Sequence, residues 1–322
     1  MRSLSRVSAQ LIEAATDAHL WAERFDHNMG DLFVLHNEIT RRIAAALDLT
    51  LIDAEAGRPA DHPDALDYIL RGRAALNKGA TPDNYVQAID LFEHALVIDP
   101  GSVEAQNWLA LALLSRVLGG MSNSRTVDTA RAETLVGQTL AISPRSTFAH
   151  SNKGKVLRAK GRCDEAIPEF EIVIASNPNA ADALFSLGVC KLWTGSIDET
   201  IPLEEQAIRL SPRDPYISGR YQVIGEVHLL QSRTKEAIVW LERARAGNPG
   251  LPIPHAWLAS AYALKGDLDR AAAELAEARK LRGDPRPWSI AGLRVRYQDR
   301  TIRALAEATL VTGLRKAGMP EE

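Results

Sequence analysis

The chain has 322 residues, of which 46% are hydrophobic and 25% are charged, and its formal net charge is −3. This composition is typical of a folded soluble protein and argues against intrinsic disorder. The small net charge provides no global attraction to nucleic acid or to anionic lipid. No segment approaches the roughly 18 apolar residues of a membrane-spanning helix, and the N-terminus lacks the apolar run of a signal peptide. We therefore expect a cytoplasmic protein with no membrane span and no nucleic-acid partner.

The N-terminal segment 1–56 has a different pattern from the rest of the chain. The runs VSAQLIEA and HLWAERFD are rich in strand-forming residues and are joined by the polar turn ATDA, which predicts a β-hairpin. Apolar residues from Leu32 to Leu47 then recur at helical spacing, which predicts a helix. Residues 57–64, with the sequence GRPADHPD, have the composition of a linker.

Prolines recur at a nearly constant interval in the middle of the chain. Pro144, Pro178 and Pro212 are 34 residues apart, and Pro249 follows after 37 residues. A period of this size indicates a repeat architecture. Because proline cannot continue a helix, each of these residues is expected to follow the second helix of a helix-turn-helix unit.

Residues of particular size recur inside these units. Gly154, Gly188 and Gly225 lie on the predicted first helices, where they allow the second helix to approach closely. Phe170 and Leu241 lie on second helices, where we expect them to fill the space between neighbouring units. The second unit is less regular, and its sequence LGGMSNSRT predicts a longer loop between its two helices.

This pattern resembles the tetratricopeptide-repeat (TPR) signature, which implies an all-α fold, a TPR α-solenoid of about six helix-turn-helix repeats. The segment RVSAQLIEAATDAHLWAERFDHNMGDLFVLHNEITRRIAAAL and the tail GLRKAGMPEE resemble bacterial adenylate-cyclase-related and winged-helix TPR regulatory proteins, in which a TolB-like αβ domain precedes the repeats. Thr16-Asp17 stands where that family usually has Thr-Gly. The expected division is a truncated TolB-like αβ remnant of β-hairpin and helix at 1–56, a linker at 57–64, a TPR array at 65–283 and a C-terminal helical tail at 284–322.

The resemblance to cyclase-related proteins does not carry catalysis to this chain. Their activity depends on paired metal-binding aspartates in a separate domain, and no segment here resembles that domain. The sequence also lacks the GxxxxGK[ST], HExxH and GxSxG motifs. Cys163 and Cys190 match no zinc or redox spacing, and Cys190 is predicted to be a small buried residue. We predict a protein that is not an enzyme, with no catalytic residues, no metal site and no cofactor.

A partner is expected on the concave wall of the array, which the first helices line. Side chains at equivalent offsets on these helices predict a groove for a protein or peptide, and Trp193 is a further candidate anchor. The alternative is a solvated wall that has no dedicated partner. The predicted groove residues are Asn107, Leu111, Phe148, Ser151, Asn152, Lys155, Arg158, Asp182, Phe185, Val189, Gln222 and Glu226.

Three hypotheses for the function follow. The favoured one is a non-catalytic protein–protein interaction scaffold, the sensory or docking part of a bacterial signalling regulator. The second is a C-terminal fragment of an adenylate-cyclase-related enzyme or transcriptional regulator whose output domain lies upstream. The third is self-association through the N-terminal hairpin, whose sheet edge we expect to be exposed or covered by the first repeat.

Overall fold

The computed structural model describes residues 4–13, 18–28, 64–282, 288–294, 296–297 and 299–322. In the first two ranges it describes the backbone alone. There, strand β1 (Leu4–Glu13) pairs antiparallel with strand β2 (Ala18–Asn28). The helix predicted between Leu32 and Leu47 lies outside the described residues. The assignment of this segment as a TolB-like remnant stays a prediction.

Between residues 64 and 282, the structure forms six consecutive antiparallel helix pairs, which confirms the predicted solenoid of helix-turn-helix repeats. The first helices of the pairs are α1 (Ala65–Asn77), α3 (Val103–Leu118), α5 (Thr147–Ala159), α7 (Ala181–Trp193), α9 (Ile217–Leu230) and α11 (Pro252–Lys265). The second helices are α2 (Pro82–Ile98), α4 (Arg125–Ile142), α6 (Cys163–Ser176), α8 (Ile197–Leu210), α10 (Thr234–Gly247) and α12 (Leu268–Leu281). The loop between α3 and α4 is longer than its counterparts, as the sequence predicts. None of the described helices is long and apolar enough to cross a membrane.

Local sequence determines where many of these helices begin and turn. Helix α1 begins after Asp64, whose carboxylate accepts from the amide of Asp67 in a reciprocal capping box. Gly195 and Gly266, in the turns within the fourth and sixth pairs, have φ values of 109° and 91°. The fifth pair has Ser232 at the corresponding turn, with φ of 62°. This left-handed backbone conformation is less favourable for serine than for glycine.

Close packing between the two helices of a pair depends on a glycine. A Cβ atom at Gly154 would lie 2.6 Å from the ring of Phe170, and one at Gly225 would lie 2.6 Å from Leu241. Gly72 and Phe92 make the same contact in the first pair, where the corresponding distance is 2.5 Å. Phe170 and Leu241 therefore pack on the first helix of their own units. Phe170 also lies in one buried apolar cluster with Leu187 and Cys190 of the next unit, as the sequence predicts. The contact requires glycine because any side chain would push the two helices apart.

The superhelix curls until the fifth and sixth pairs touch the first two. The hydroxyl of Tyr216, in the loop before α9, donates a hydrogen bond of 2.8 Å to the carbonyl of Leu76 at the end of α1. The side-chain amide of Asn248 donates to the carbonyl of Ala80 at 2.9 Å. Tyr216 also packs on the apolar core of the first two pairs. We call these contacts the seam; they close one side of the concave wall.

The C-terminal residues cover the exposed end of the last pair. They form α13 (Ile290–Arg294), α14 (Arg300–Ala306), a π-helical turn (Glu307–Val311) and α15 (Thr312–Lys316). Leu310 and Leu314 are fully buried in one core with α11. The hydroxyl of Ser260 on α11 donates a hydrogen bond of 2.8 Å to the carbonyl of Leu310. This bond satisfies a backbone carbonyl within the π-helical turn. The tail therefore acts as the capping element that a solenoid end needs.

We predict that Gly313→Ala loosens this cap. A methyl group at Gly313 would overlap the backbone carbonyl and the hydroxyl of Ser260, so the tail must move away from α11. Overpacking of this kind costs about 1–3 kcal/mol in the free energy of unfolding, which urea titration followed by circular dichroism would measure. Gly137→Ala is the matched control: that glycine is exposed on α4 with open space around it. The control should gain about 0.4–1 kcal/mol. Equal stability of both variants would contradict the described packing of the tail.

Candidate functional site

The concave wall and the seam together line a half-open cavity of about 340 Å³. Helices α1, α3, α5, α7 and α9 contribute to its wall, together with the loops before α9 and α11 and Arg296 of the tail. The sequence predicts an open groove, whereas in the structure the concave wall forms a pocket. Pockets of about 300–1,000 Å³ with a few convergent polar groups are typical ligand sites.

Most of the predicted groove residues come together on this wall. Eight of the twelve line the cavity: Leu111, Lys155, Arg158, Asp182, Phe185, Val189, Gln222 and Glu226. Trp193 also lines it, with the guanidinium of Arg296 5.3 Å from the centre of its ring. Their role in partner binding stays a proposal.

The other four predicted residues do not line the cavity; Asn107, Phe148 and Asn152 pack between α3 and α5. The amide of Asn152 donates to the carbonyl of Asn107 at 2.9 Å, and both side chains are buried. Phe148 packs edge-on against Trp108, with ring centres 4.9 Å apart. Ser151 accepts a hydrogen bond of 3.0 Å from the ammonium group of Lys155. The position of a residue along a helix does not show whether its side chain faces the groove or packs on the neighbouring helix. The sequence pattern therefore predicted these four residues in the groove.

Two ion pairs lie on the cavity wall. The ammonium group of Lys155 binds the carboxylate of Asp182, and the guanidinium of Arg220 binds that of Asp214 at 2.7 Å. The side chain of Asp182 is 58% exposed, and the surface that it exposes faces the cavity. Desolvation opposes its ionisation, but the charges of Lys155, Arg220 and Arg158 outweigh this effect and lower the pKa of Asp182 below its ordinary value.

Phe185 on α7 lies between two guanidinium groups. The guanidinium carbons of Arg158 and Arg220 are 5.5 Å and 5.6 Å from the centre of its ring, within the range of a cation–π contact. Arg158 is 93% buried, yet its Nε and Nη1 atoms have no hydrogen-bond acceptor. A buried guanidinium with unpaired donors is costly, and such a group often marks a functional site.

Glu204 on α8 is an exception to the packing rule of the repeats. It stands where other units have Phe170, Leu241 and Leu275, and it is fully buried against Gly188. Neither of its carboxylate oxygens has a hydrogen-bond partner. Burial raises the pKa of Glu204 well above its ordinary value, although the charges of Arg220 and Arg158 oppose this shift. We infer that the carboxyl group retains its proton more readily than an exposed one.

Glu226 connects the cavity wall to the tail. One of its oxygens accepts from the indole nitrogen of Trp257 at 2.8 Å, and the other accepts from the hydroxyl of Tyr297 at 2.7 Å. Both oxygens therefore have partners within the protein, and Glu226 holds α9, α11 and the tail together. This role differs from the partner-binding role that the sequence predicted for it.

Sequence reasoning missed several wall residues in the fifth unit. The interval from Pro212 to Pro249 is three residues longer than the others, and the additional length falls in the loop that carries Asp214 and Tyr216. Arg220 lies at the offset of Ala149 and Ala183, so a large charged residue replaces a small one there. Both irregularities are visible in the sequence and could have indicated a specialised unit. What they contact depends on the curvature of the array.

Cys163 and Cys190 are both fully buried and unbridged, and their sulfur atoms are 2.8 Å apart. The predicted buried position of Cys190 is thus confirmed. In the part of the chain that the structure describes, no group of three or more histidine, cysteine, aspartate or glutamate side chains could hold a metal ion.

Comparisons with known proteins agree with the repeat architecture. Two family models described as tetratricopeptide repeat match residues 151–215 and 228–292. A protein of Rhizobium meliloti (strain 1021) named "Putative adenylate cyclase 3" is 28% identical over 165 residues, which are 50% of this chain and 28% of that protein. The match therefore spans less than a third of that relative's length.

Solved structures show the same fold at low sequence identity. Human IFIT1, solved as a dimer with m7Gppp-AAAA, has a TM-score of 0.57 and 17% identity, covering 76% of this chain and 57% of that one. The APC/C heterotetramer Cut9-Hcn1 has a TM-score of 0.56 and 14% identity, covering 82% of this chain and 47% of that one. At these identities the likeness concerns the fold alone.

We predict that Tyr216→Phe weakens the seam. The substitution removes the hydroxyl that donates to the carbonyl of Leu76 and leaves the ring in place. The free energy of unfolding should fall by about 0.5–1.5 kcal/mol, and hydrogen exchange should become faster at residues 76–80. Tyr221→Phe is the matched control, because the hydroxyl of Tyr221 makes no hydrogen bond in the structure. If both variants behave alike, the seam does not hold the wall together.

We predict that Glu204→Leu stabilises the protein increasingly as the pH rises above about 4.5, the ordinary pKa of a glutamate. Above this pH the unfolded state releases the proton while the folded state retains it, so the wild type loses stability until the folded pKa is reached. The variant should gain about 1–3 kcal/mol at pH 7 and much less at pH 4. Urea titrations at both values would measure this difference. Glu205→Leu, on the exposed side of α8, should change stability by less than about 0.5 kcal/mol at either pH.

Proposed function

Because this chain is a tetratricopeptide-repeat protein related to a protein named as an adenylate cyclase, we propose that it is the sensory or docking part of a bacterial signalling regulator. Repeats of this kind indicate a protein-interaction scaffold. We further propose that it is not an enzyme and that it works in the cytoplasm.

The observation that carries this proposal is the set of wall side chains that packing leaves accessible. Asp182 is exposed, and Leu111, Phe185 and Gln222 are partly exposed at the cavity. They come from α3, α7 and α9, so three repeats present one continuous surface. We propose that a protein or peptide partner docks on this surface with a polar contact at Asp182 and an apolar contact at Phe185.

The alternative is a C-terminal part of a longer adenylate-cyclase-related enzyme or transcriptional regulator. The observation in its favour is that the matched region spans 28% of the relative. An in-frame coding sequence for a cyclase or winged-helix domain directly before Met1 would support it. Self-association through the N-terminal strands is a third proposal, and sedimentation of the chain over a range of concentrations would test it.

Site-specific photo-crosslinking in living bacteria would test docking on the wall. A photoreactive phenylalanine analogue placed at Asp182 or Gln222 should yield an adduct with a bacterial protein. The same analogue at Lys235, an exposed position on the second helix α10, serves as the control and should not yield that adduct.

The adduct at Gln222 should decrease at least about tenfold in a Phe185→Ala background, because this substitution removes an aromatic anchor. Circular dichroism must show that the variant remains helical. Equal adducts at Gln222 and Lys235, or none at the wall positions, would mean that the partner does not dock in the groove.

A further inference from the structure

The positive charge around Arg158 exceeds the negative charge available to it. Asp182 already pairs with Lys155, and Asp214 pairs with Arg220. Apart from the buried Glu204, the cations Lys155, Arg158 and Arg220 therefore share two paired carboxylates on this part of the wall. The carboxyl group of Glu204 makes no hydrogen bond to Arg158. Burial raises the pKa of Glu204, which favours the protonated form of this carboxyl group. An anion from solution would restore the balance.

Unpaired hydrogen-bond donors surround the same place. The Nε and Nη1 atoms of Arg158 have no acceptor, and neither does Nε of Arg220. The hydroxyl group of Ser186 on α7 is likewise buried without a partner, and Ser186 lines the cavity. Arg158, Arg220 and Ser186 are all at least nine-tenths buried, so the fold holds their side chains in place. Preorganised donors of this kind bind carboxylate or phosphate oxygens well.

The wall beside these donors is apolar. Phe185 presents a partly exposed ring to the cavity, and Leu111 and Val189 lie on the neighbouring wall. A flat apolar body could pack on Phe185 while a charged group attached to it reaches Arg158. The volume of about 340 Å³ accommodates a small molecule or a few atoms of a larger one, but no folded segment.

We propose that this cavity is a binding site for a small organic anion, in which Arg158 and Arg220 hold a carboxylate or phosphate group and Phe185 packs against a flat apolar body. Ser186 supplies a further donor to the anion. The wall of the third to fifth repeats is then a receptor for a small molecule. This inference assigns a different class of ligand to the same wall, with Phe185 as a contact in both proposals, and it does not depend on the protein partner.

Calorimetric titration of the purified chain with three probes tests this proposal. Benzoate and phenyl phosphate carry the two candidate anionic groups on the same ring, and benzamide is their neutral counterpart. We expect at least one of the anions to bind and benzamide to bind at least about tenfold more weakly. The ratio of the affinities for benzoate and phenyl phosphate distinguishes a carboxylate site from a phosphate site.

Variants of the chain then locate the site. Arg158→Leu should weaken anion binding at least about tenfold, because it removes a charge-assisted donor. Arg145→Leu removes the same charge from an exposed position and should leave the affinity unchanged. Glu204→Leu removes the competing carboxyl group and restores the apolar residue type of other units, so anion binding should persist or become tighter.

The proposal is wrong if neither anion binds the wild type at millimolar concentration, if benzamide binds equally well, or if Arg158→Leu retains full affinity. These measurements use the purified chain alone. Anion binding without a crosslink at the wall positions would therefore refute only the docking proposal. A crosslink at the wall without anion binding would refute only the anion-site proposal.

Discussion

The structure depends on the close approach of two helices at a glycine. In the first, third and fifth pairs, the aromatic or aliphatic side chain of Phe92, Phe170 or Leu241 lies directly on that glycine. Burying such a side chain contributes about 1.5–3 kcal/mol, and no single pair has enough apolar surface to be stable alone. The spacing set by this contact brings the first helices side by side, and their side chains then form one wall. Every feature of the cavity follows from that arrangement.

The fourth pair departs from this rule at the point where the wall carries most of its charge. Its gap-filling residue is Glu204, a buried carboxyl group that no neighbour satisfies. The next repeat has Arg220 at an offset where alanine occurs in other units. Both residues are unfavourable for packing, and both lie around Phe185 and Arg158. Departures that weaken packing at one place are most readily explained by a role in binding there.

The seam converts this wall into a half-open cavity. Three additional residues in the fifth unit extend the loop that carries Asp214 and Tyr216, and Tyr216 reaches the end of α1. Asp214 holds Arg220 in place from the same loop. One short insertion therefore both closes the cavity and orients a cation within it. Binding of a ligand to this cavity would be coupled to the contact between the first and fifth repeats, because both depend on that loop.

The sequence by itself determined the repeat number, the order of the helices, the long loop of the second unit and the buried position of Cys190. These features depend on the spacing of residues along the chain, which is local information. Eight of the twelve groove residues that it predicted also lie on the cavity wall, since equivalent offsets place side chains on one face of a helix.

Only the tertiary structure decided that Asn107 and Asn152 bind one another, that Glu226 binds the tail, and that the seam turns the groove into a half-open cavity. A small rotation between successive repeats, added over five units, brings Tyr216 to Leu76. This rotation depends on the packing of every pair on the next and leaves no signal in the residues that finally meet.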